Sequence, residues 1–269
     1  MHFVIFGIIA IFTIRGVRIG YLKNTKRLSV QKVKVPIKSN DFKLSVLQLS
    51  DLHLEKCSIS PEQLHTMINN ESFDLIALTG DFLDKKRTIP KLIPYLEVLQ
   101  GINARYGIYV VFGNHDYVLK RNHFHDMKDL FHQYGCITLQ NESISIRKGS
   151  QTFNIIGIDD YSTRRSNLEK SFEKVSPGYR LVLTHDPNII LDMDPYPYDY
   201  LLSGHFHGGQ IYWPKPYHLR KMGKLPRKNV IKGLHFQEGK PFYISEGLGQ
   251  TAVNIRFGSF PEITFHEIG

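Results

Sequence analysis

Residues 43–53 read Lys43-Leu44-Ser45-Val46-Leu47-Gln48-Leu49-Ser50-Asp51-Leu52-His53, a short apolar run that ends on an aspartate and a histidine. The pattern recurs along the chain. Residues 73–81 (FDLIALTGD) close on Asp81, and residues 107–116 (GIYVVFGNHD) close on Asn114, His115 and Asp116. Residues 180–185 (RLVLTH) close on His185, and residues 198–207 (YDYLLSGHFH) close on His205 and His207. Short runs rich in Val, Ile, Leu and Tyr read as buried strands. Helix-like segments at residues 61–70, 88–100 and 122–134 separate the first of them. Strand, loop and helix in repetition predict a parallel sheet and an α/β fold.

Working outward, residues 142–158 read as a hairpin. Residues 240–268 read as a series of strands (FYISE, TAVNIRF, EITFHEI), and an alternating piece near Val33 to Ile37 as an edge strand. No internal repeat, low-complexity tract or second core interrupts the pattern. A single catalytic domain over residues 43–269 is expected.

In an open α/β sheet, ligands bind beyond the carboxyl ends of the strands. Here those ends carry Asp51, His53, Asp81, Asn114, His115, His185, His205 and His207. A lone D-x-H or G-D dipeptide is weak evidence, but the ordered set predicts a metal site. A phosphoester is anionic and repels hydroxide; two divalent ions about 3.5–4 Å apart neutralise its oxygens and acidify a bound water. Aspartate, histidine and asparagine without thiolate suit Mn, Zn or Fe. Glycines at 80, 113 and 204 let the backbone turn sharply beside the ligands.

These blocks resemble the signature of the calcineurin-like metallophosphoesterase superfamily, D-x-H … G-D … G-N-H-[DE] … H … G-H-x-H. More narrowly, GHFHGGQI followed by YISEGLGQTAVNIRFGSFPEI is similar to bacterial membrane-associated members, among them enzymes that hydrolyse a lipid-linked UDP-sugar pyrophosphate. The resemblance spans roughly residues 43–268. It implies a four-layer αββα sandwich of two mixed sheets flanked by helices, with two metals at one edge. By motif, Asp51, His53 and His207 would bind one metal, Asn114, His185 and His205 the other, and Asp81 would bridge them. The resemblance further implies in-line attack by a metal-bridging hydroxide. His115 would stabilise the transition state or protonate the leaving oxygen, oriented by Asp116. Phe206 stands where the group often has Thr, at a position between two ligands that is not itself one.

Charge is unevenly placed. The chain has 269 residues and a net charge of +9. Residues 1–38 carry eight Lys or Arg and no acid, and residues 211–237 carry seven and no acid. Such segments suit an anionic surface, lipid headgroups or nucleic acid. Residues 3–14 (FVIFGIIAIFTI) are uniformly apolar, and with residues 15–22 a helix would reach roughly 30 Å. Positive charge follows the run and no small-residue cleavage site does, which argues against a cleaved signal. The expectation is a membrane anchor over residues 1–22, a basic connector over 23–42, and a cytoplasmic catalytic domain. An interfacial helix is the second reading and an export signal the third.

The bland readings are equally specific. Cys57 and Cys136 are in no metal or redox spacing, so a disulfide scaffold is excluded. His65, His123, His125, His132, His218, His235 and His266 read as core or surface residues, and Asp159 and Asp160 as turn residues. Residues 211–235, which contain the only tryptophan (Trp213), read equally as a solvated loop or as a grip on a polyanionic or lipid substrate. The expected partners are a phosphoester substrate, lipid-linked or nucleotide-linked, and an anionic membrane. A nuclease is the rival enzyme, disfavoured by the anchor. A non-catalytic scaffold is the rival of another class, and it would show lost ligands where none is lost.

Overall fold

The computed structural model describes residues 15–16, 24–37, 42–212 and 214–269. The anchor expected over residues 1–22 lies outside them except for Arg15 and Gly16, as do part of the connector and Trp213. Among the described residues no helix is long and apolar enough to cross a membrane.

The first strand, β1 (Ser29–Val35), is followed by β2 (Leu44–Leu49), α1 (Pro61–Ile68), β3 (Leu75–Thr79), α2 (Ile93–Gly101), β4 (Ile108–Val111), α3 (Arg121–Gln133) and β5 (Cys136–Thr138). The strand–helix repeat folds as its pattern dictates: β2, β3, β4 and β5 pair in parallel, each joined to the next through a helix. Helix α1 starts where the sequence supplies a capping box, with Ser60 and Gln63 exchanging side-chain and backbone hydrogen bonds around Pro61. Helix α2 begins later than its apolar pattern suggests. Residues 86–92 wind as a tighter 3-10 turn containing Pro90, which has no N–H to give an α-helical ladder.

The second half adds β6 (Glu142–Lys148) and β7 (Gln151–Gly157) as the expected hairpin, then α4 (Leu168–Phe172), β8 (Tyr179–Leu183), β9 (Tyr200–Ser203), α5 (Lys224–Arg227), β10 (Gly233–Gln237), β11 (Lys240–Ile244) and β12 (Glu262–Ile268). The described strands form two six-stranded sheets, β1-β12-β2-β3-β4-β5 and β10-β11-β9-β8-β7-β6. Both are mixed. The last strand, β12, inserts between β1 and β2, parallel to the first and antiparallel to the second, which leaves β1 at the edge.

Side-chain parity builds the layers. Val46, Ala77, Tyr109 and Val111 of the first sheet share one core with Phe153, Ile155, Leu181, Leu183, Tyr200 and Leu202 of the second. The alternate residues Leu47, Leu49, Ile76, Leu78, Ile108 and Val110 pack outward with Leu64, Leu96, Leu99, Met127 and Phe131 of α1 to α3. Ile156, Val182, Leu201 and Ile244 turn to a third cluster with Ile189, Leu219 and Leu225. The result is four layers, with the sheets face to face inside.

One expected strand is absent. Residues 251–257 (TAVNIRF) make no ladder; a single bridge joins Phe257 to Ile211. Their apolar residues serve another end. Arg256 points inward and is fully buried, while Val253, Ile255 and Phe257 point to solvent.

A candidate dinuclear metal centre

The carboxyl ends of β2, β3, β4, β8 and β9 arrive at one edge of the sandwich, so residues far apart in sequence meet there. Asp51, His53 and His207 present ligand atoms within 4.8 Å of one another, and so do Asp81, His185 and His205. Both groups are buried. The turns that carry them are unusual: Asp51, His53, Asp81, His205 and His207 all have φ between 39° and 77°. Non-glycine residues seldom enter this left-handed region, and such strain clusters at functional sites. Glycine is required alongside. A Cβ on Gly113 would strike Asp81 and His185, and one on Gly204 would strike Ser50 and Asp51.

Four of the side chains, Asp51, Asp81, His185 and His207, are held from behind. Asp51 accepts from Ser50 Oγ at 2.6 Å and from the His205 backbone N–H at 3.1 Å. Asp81 Oδ1 accepts from the His115 backbone N–H at 2.8 Å. His185 Nδ1 lies 2.8 Å from Thr79 O, and His207 Nδ1 lies 3.3 Å from Gly249 O. A ring that donates Nδ1–H to a carbonyl keeps its Nε2 lone pair for a cation, the usual arrangement behind a metal-binding histidine.

The forward-facing atoms crowd together. His185 Nε2 stands 3.0 Å from Asp81 Oδ2 and 3.1 Å from His205 Nδ1. His53 Nε2 is 3.5 Å from Asp81 Oδ2, and His207 Nε2 is 3.4 Å from Asp51 Oδ1. His53 Nε2 and Asn114 Oδ1 are buried with no hydrogen-bond partner. A buried polar atom left unpaired costs about 1–3 kcal/mol. Cations shared among these atoms remove both the crowding and the deficit, and the oxygen and imidazole donors match Mn, Zn or Fe. The residues present therefore fit a pair of divalent ions.

Electrostatics agree with the geometry. Burial pushes the His53 ring down to about 3 and, with help from Arg256, holds His207 well below the usual histidine value. Both rings are neutral and free to ligate. Burial opposes charge on His185 and Asp81 too, yet each holds the other ionised, His185 well above the ordinary histidine value and Asp81 well below the carboxylate one, so a cation ligated by His185 Nε2 would displace the proton that Asp81 holds there.

His115 and Asp116 part company. Asp116 is fully buried and its carboxylate accepts the backbone N–H groups of Asp81, Phe82 and Gly113 at 2.7–2.9 Å. It therefore braces the Asp81 turn instead of orienting the His115 ring, as the resemblance implied. The ring's partner is Asp84, whose Oδ1 lies 2.9 Å from His115 Nδ1. Burial disfavours the imidazolium, but Asp84 and Asp81 together raise His115 to about 9. Asp84 escaped the sequence reading, although its place three residues after Asp81 in Gly80-Asp81-Phe82-Leu83-Asp84 was visible.

Two further residues were missed. Arg256 sends its guanidinium to the carbonyls of His207, Gly247, Gly249 and Phe260 at 2.6–3.2 Å. It ties the His207 turn to the loop that covers Asp51. His218, set aside as an ordinary histidine, lines the metal cavity. The remaining isolated histidines behave as expected; His266, for example, is buried between Tyr200 and Gln48. Asp160 caps its own turn through Ser162 and Thr163. Both cysteines are free.

Two recesses meet at the site. One, of about 380 Å³, is lined by Asp81, Asn114, His115, His205 and His207 and walled by Ile211, Leu219, Met222 and Val253. The other, of about 740 Å³, is lined by Ser162, Arg164, Asp186, Asn188, Lys221 and Lys224. They share His205, Lys221 and Met222.

Comparison with known proteins gives the same answer as the geometry. Residues 44–209 match the model of the calcineurin-like phosphoesterase family. The chain is 60% identical over 249 residues to the metallophosphoesterase YkoQ of Bacillus subtilis (strain 168), covering 91% of this chain and 92% of that one. It is 29% identical to the metallophosphoesterase YkuE of the same organism, covering 91% and 85%. It is 26% identical to the UDP-2,3-diacylglucosamine pyrophosphatase LpxG of Chlamydia muridarum, covering 82% of each. Family model, high-identity relative and convergent strand ends together place the chain in the calcineurin-like metallophosphoesterases, metal-dependent hydrolases of phosphoric esters.

Proposed function

We propose that the chain hydrolyses a phosphodiester or pyrophosphate that carries one apolar and one polar arm, as a lipid-linked or nucleotide-linked substrate does. The observation that carries this reading is the pair of recesses meeting at His205. One has an apolar wall of Ile211, Leu219 and Val253, and the other offers Arg164, Lys221, Lys224 and Asn188. A monoester would need only one side. The distant relative LpxG, a UDP-2,3-diacylglucosamine pyrophosphatase, has a substrate of this two-armed kind in its name.

In this reading Asp51, His53 and His207 would hold one divalent ion, Asn114, His185 and His205 would hold the second, and Asp81 would serve both. When bound, the ions supply charge neutralisation at the phosphoryl oxygens and Lewis-acid activation of water. The chain's own residues do the rest. Carbonyl-backed histidines fix the ligand geometry in advance, so little reorganises during the reaction. His115, held at Nδ1 by Asp84, presents Nε2 to the cavity and delivers a proton to the departing oxygen. Lys221, on the wall common to both recesses, pairs with the phosphate charge.

The test is a metal titration. Metal-stripped protein receives Mn²⁺ or Zn²⁺ and is assayed on p-nitrophenyl phosphate, bis(p-nitrophenyl) phosphate and a UDP-sugar pyrophosphate bearing acyl chains. Turnover should depend on metal and should favour the two-armed compounds. Metal-independent turnover, or preference for the monoester, overturns the reading.

A further inference from the structure

Exposed apolar side chains gather beside the site. Ile211, Tyr217, Val253, Ile255, Phe257 and Phe260 are each 37–57% exposed. They occupy two segments that are stitched together. Phe257 bridges Ile211, the Phe257 N–H donates to Gln210 O at 2.7 Å, and the Tyr212 N–H donates to Phe257 O at 2.6 Å. Ile211 and Val253 continue from the surface into the wall of the metal cavity. The patch is therefore contiguous with the mouth of the site.

The loop that carries it is firmly held. Arg256 anchors it from below, Gln210 Nε2 donates to Thr251 O and Val253 O at 2.9 Å, and Ser259 Oγ donates to Gln210 O at 2.9 Å. Its apolar side chains are displayed by a braced backbone. Contiguous exposed apolar surface of this kind marks a place of interaction.

Two observations say what covers it. Lys215, Arg220, Lys221, Lys224, Arg227 and Lys228 are exposed along the neighbouring segment, and residues 211–237 hold no acid. In addition, the Arg256 N–H donates to Thr25 Oγ1 at 2.9 Å, so the amino-terminal part of the chain enters the fold at this loop. The sequence preceding that point contains the apolar run 3–14 followed by Arg15, Arg18 and Lys23. Apolar residues with an acid-free basic segment beside them, on the loop that the amino-terminal part of the chain meets, match an anionic bilayer and its phosphate headgroups.

We infer that the loop around Ile255 and Phe257, with the basic segment beside it, docks the enzyme on an anionic bilayer so that the metal cavity opens onto the headgroups. The inference rests on the proposed function, taking the lipid-linked form of its two-armed substrate. It adds the surface that meets the membrane and the orientation in which it does so.

The experiment uses the full chain with Trp213→Phe as background and Phe257→Trp as a depth probe. Vesicles contain phosphatidylglycerol and phosphatidylcholine with brominated acyl chains. Emission from Phe257→Trp should shift to the blue and be quenched by the bromines, whereas Met67→Trp on α1 should do neither. Ile255→Trp repeats the measurement should the first variant fold poorly. No shift on vesicles overturns the inference. A blue shift without bromine quenching also overturns it, because the patch is then covered by protein. Hydrolysis of soluble bis(p-nitrophenyl) phosphate by Ile255→Ser and Phe257→Ser reports the chemistry separately and should match the parent. Absence of hydrolysis in the parent would instead count against the proposed function.

Discussion

Asp84 Oδ1 and His115 Nδ1 lie 2.9 Å apart at the rim of the metal cavity, the one on the loop after β3 and the other after β4. Because Asp81 Oδ1 also accepts the His115 N–H, a single loop fixes this residue at both backbone and ring. Asp84→Asn keeps the shape but loses the charge that stabilises the imidazolium. Turnover should fall about ten- to a hundredfold, against roughly 10²–10⁴-fold for His115→Ala. The double variant should be little slower than His115→Ala alone. Additive losses would separate the two residues.

Metal retention distinguishes ligands from the residue that handles the proton. Asp81→Ala removes the carboxylate that faces both groups, and elemental analysis should find both ions depleted. His115→Ala should keep its metal while losing turnover. Equal retention in the two variants would contradict the assignment.

Arg256 binds four carbonyl oxygens from full burial. Arg256→Met strands those acceptors, and denaturant unfolding should show a loss of about 3 kcal/mol or more. Arg256→Lys should recover only part of this, since an ammonium cannot reproduce a planar fork. Both variants should lose metal most readily from the side of His207, whose carbonyl Arg256 holds.

Two buried groups on β12 give stability opposite pH dependences. Burial lowers His266 from 6.5 to about 3, so its contribution is complete above pH 6.5 and is lost as pH falls toward 3. Burial beside Glu246 raises Glu262 from 4.5 to about 7, so its contribution is complete below pH 4.5 and is lost as pH rises toward 7. Each slope is at most about 1.4 kcal/mol per pH unit, and they oppose one another between pH 4.5 and 6.5. Unfolding of His266→Gln across this range should show stability that declines with rising pH. The gap between parent and variant should narrow as pH falls below 6.5. A pH-independent gap would rule out a neutral buried His266.

What could be read from the sequence was local. Each apolar run that became β2, β3, β4, β8 or β9 ended within a few residues of its functional group, so strand recognition located the site as well. The parts that escaped depend on partners distant along the chain. His266 reaches Tyr200 across the sandwich and Gln48 on the neighbouring strand, and no short-range pattern announces that β12 will insert beside β2. Arg256 reads as one more surface base until its four carbonyl partners are in view. The apolar residues within 251–257 suggested a strand, but they form an exposed surface around one buried guanidinium and have no sheet behind them. Asp84 resembled a solvated loop acid because its partner lay in the next loop.

The left-handed turns at Asp51, His53, Asp81, His205 and His207 bear on what a bound ion would add to the fold. Each such residue costs roughly 1–2 kcal/mol, so five of them approach the net stability of an ordinary domain. That cost is met when the chain folds, before any cation arrives. A cradle already bent into shape needs little rearrangement when an ion binds, so little of the binding energy is lost to reshaping the turns. An occupied cradle would return the gain of binding as resistance to unfolding.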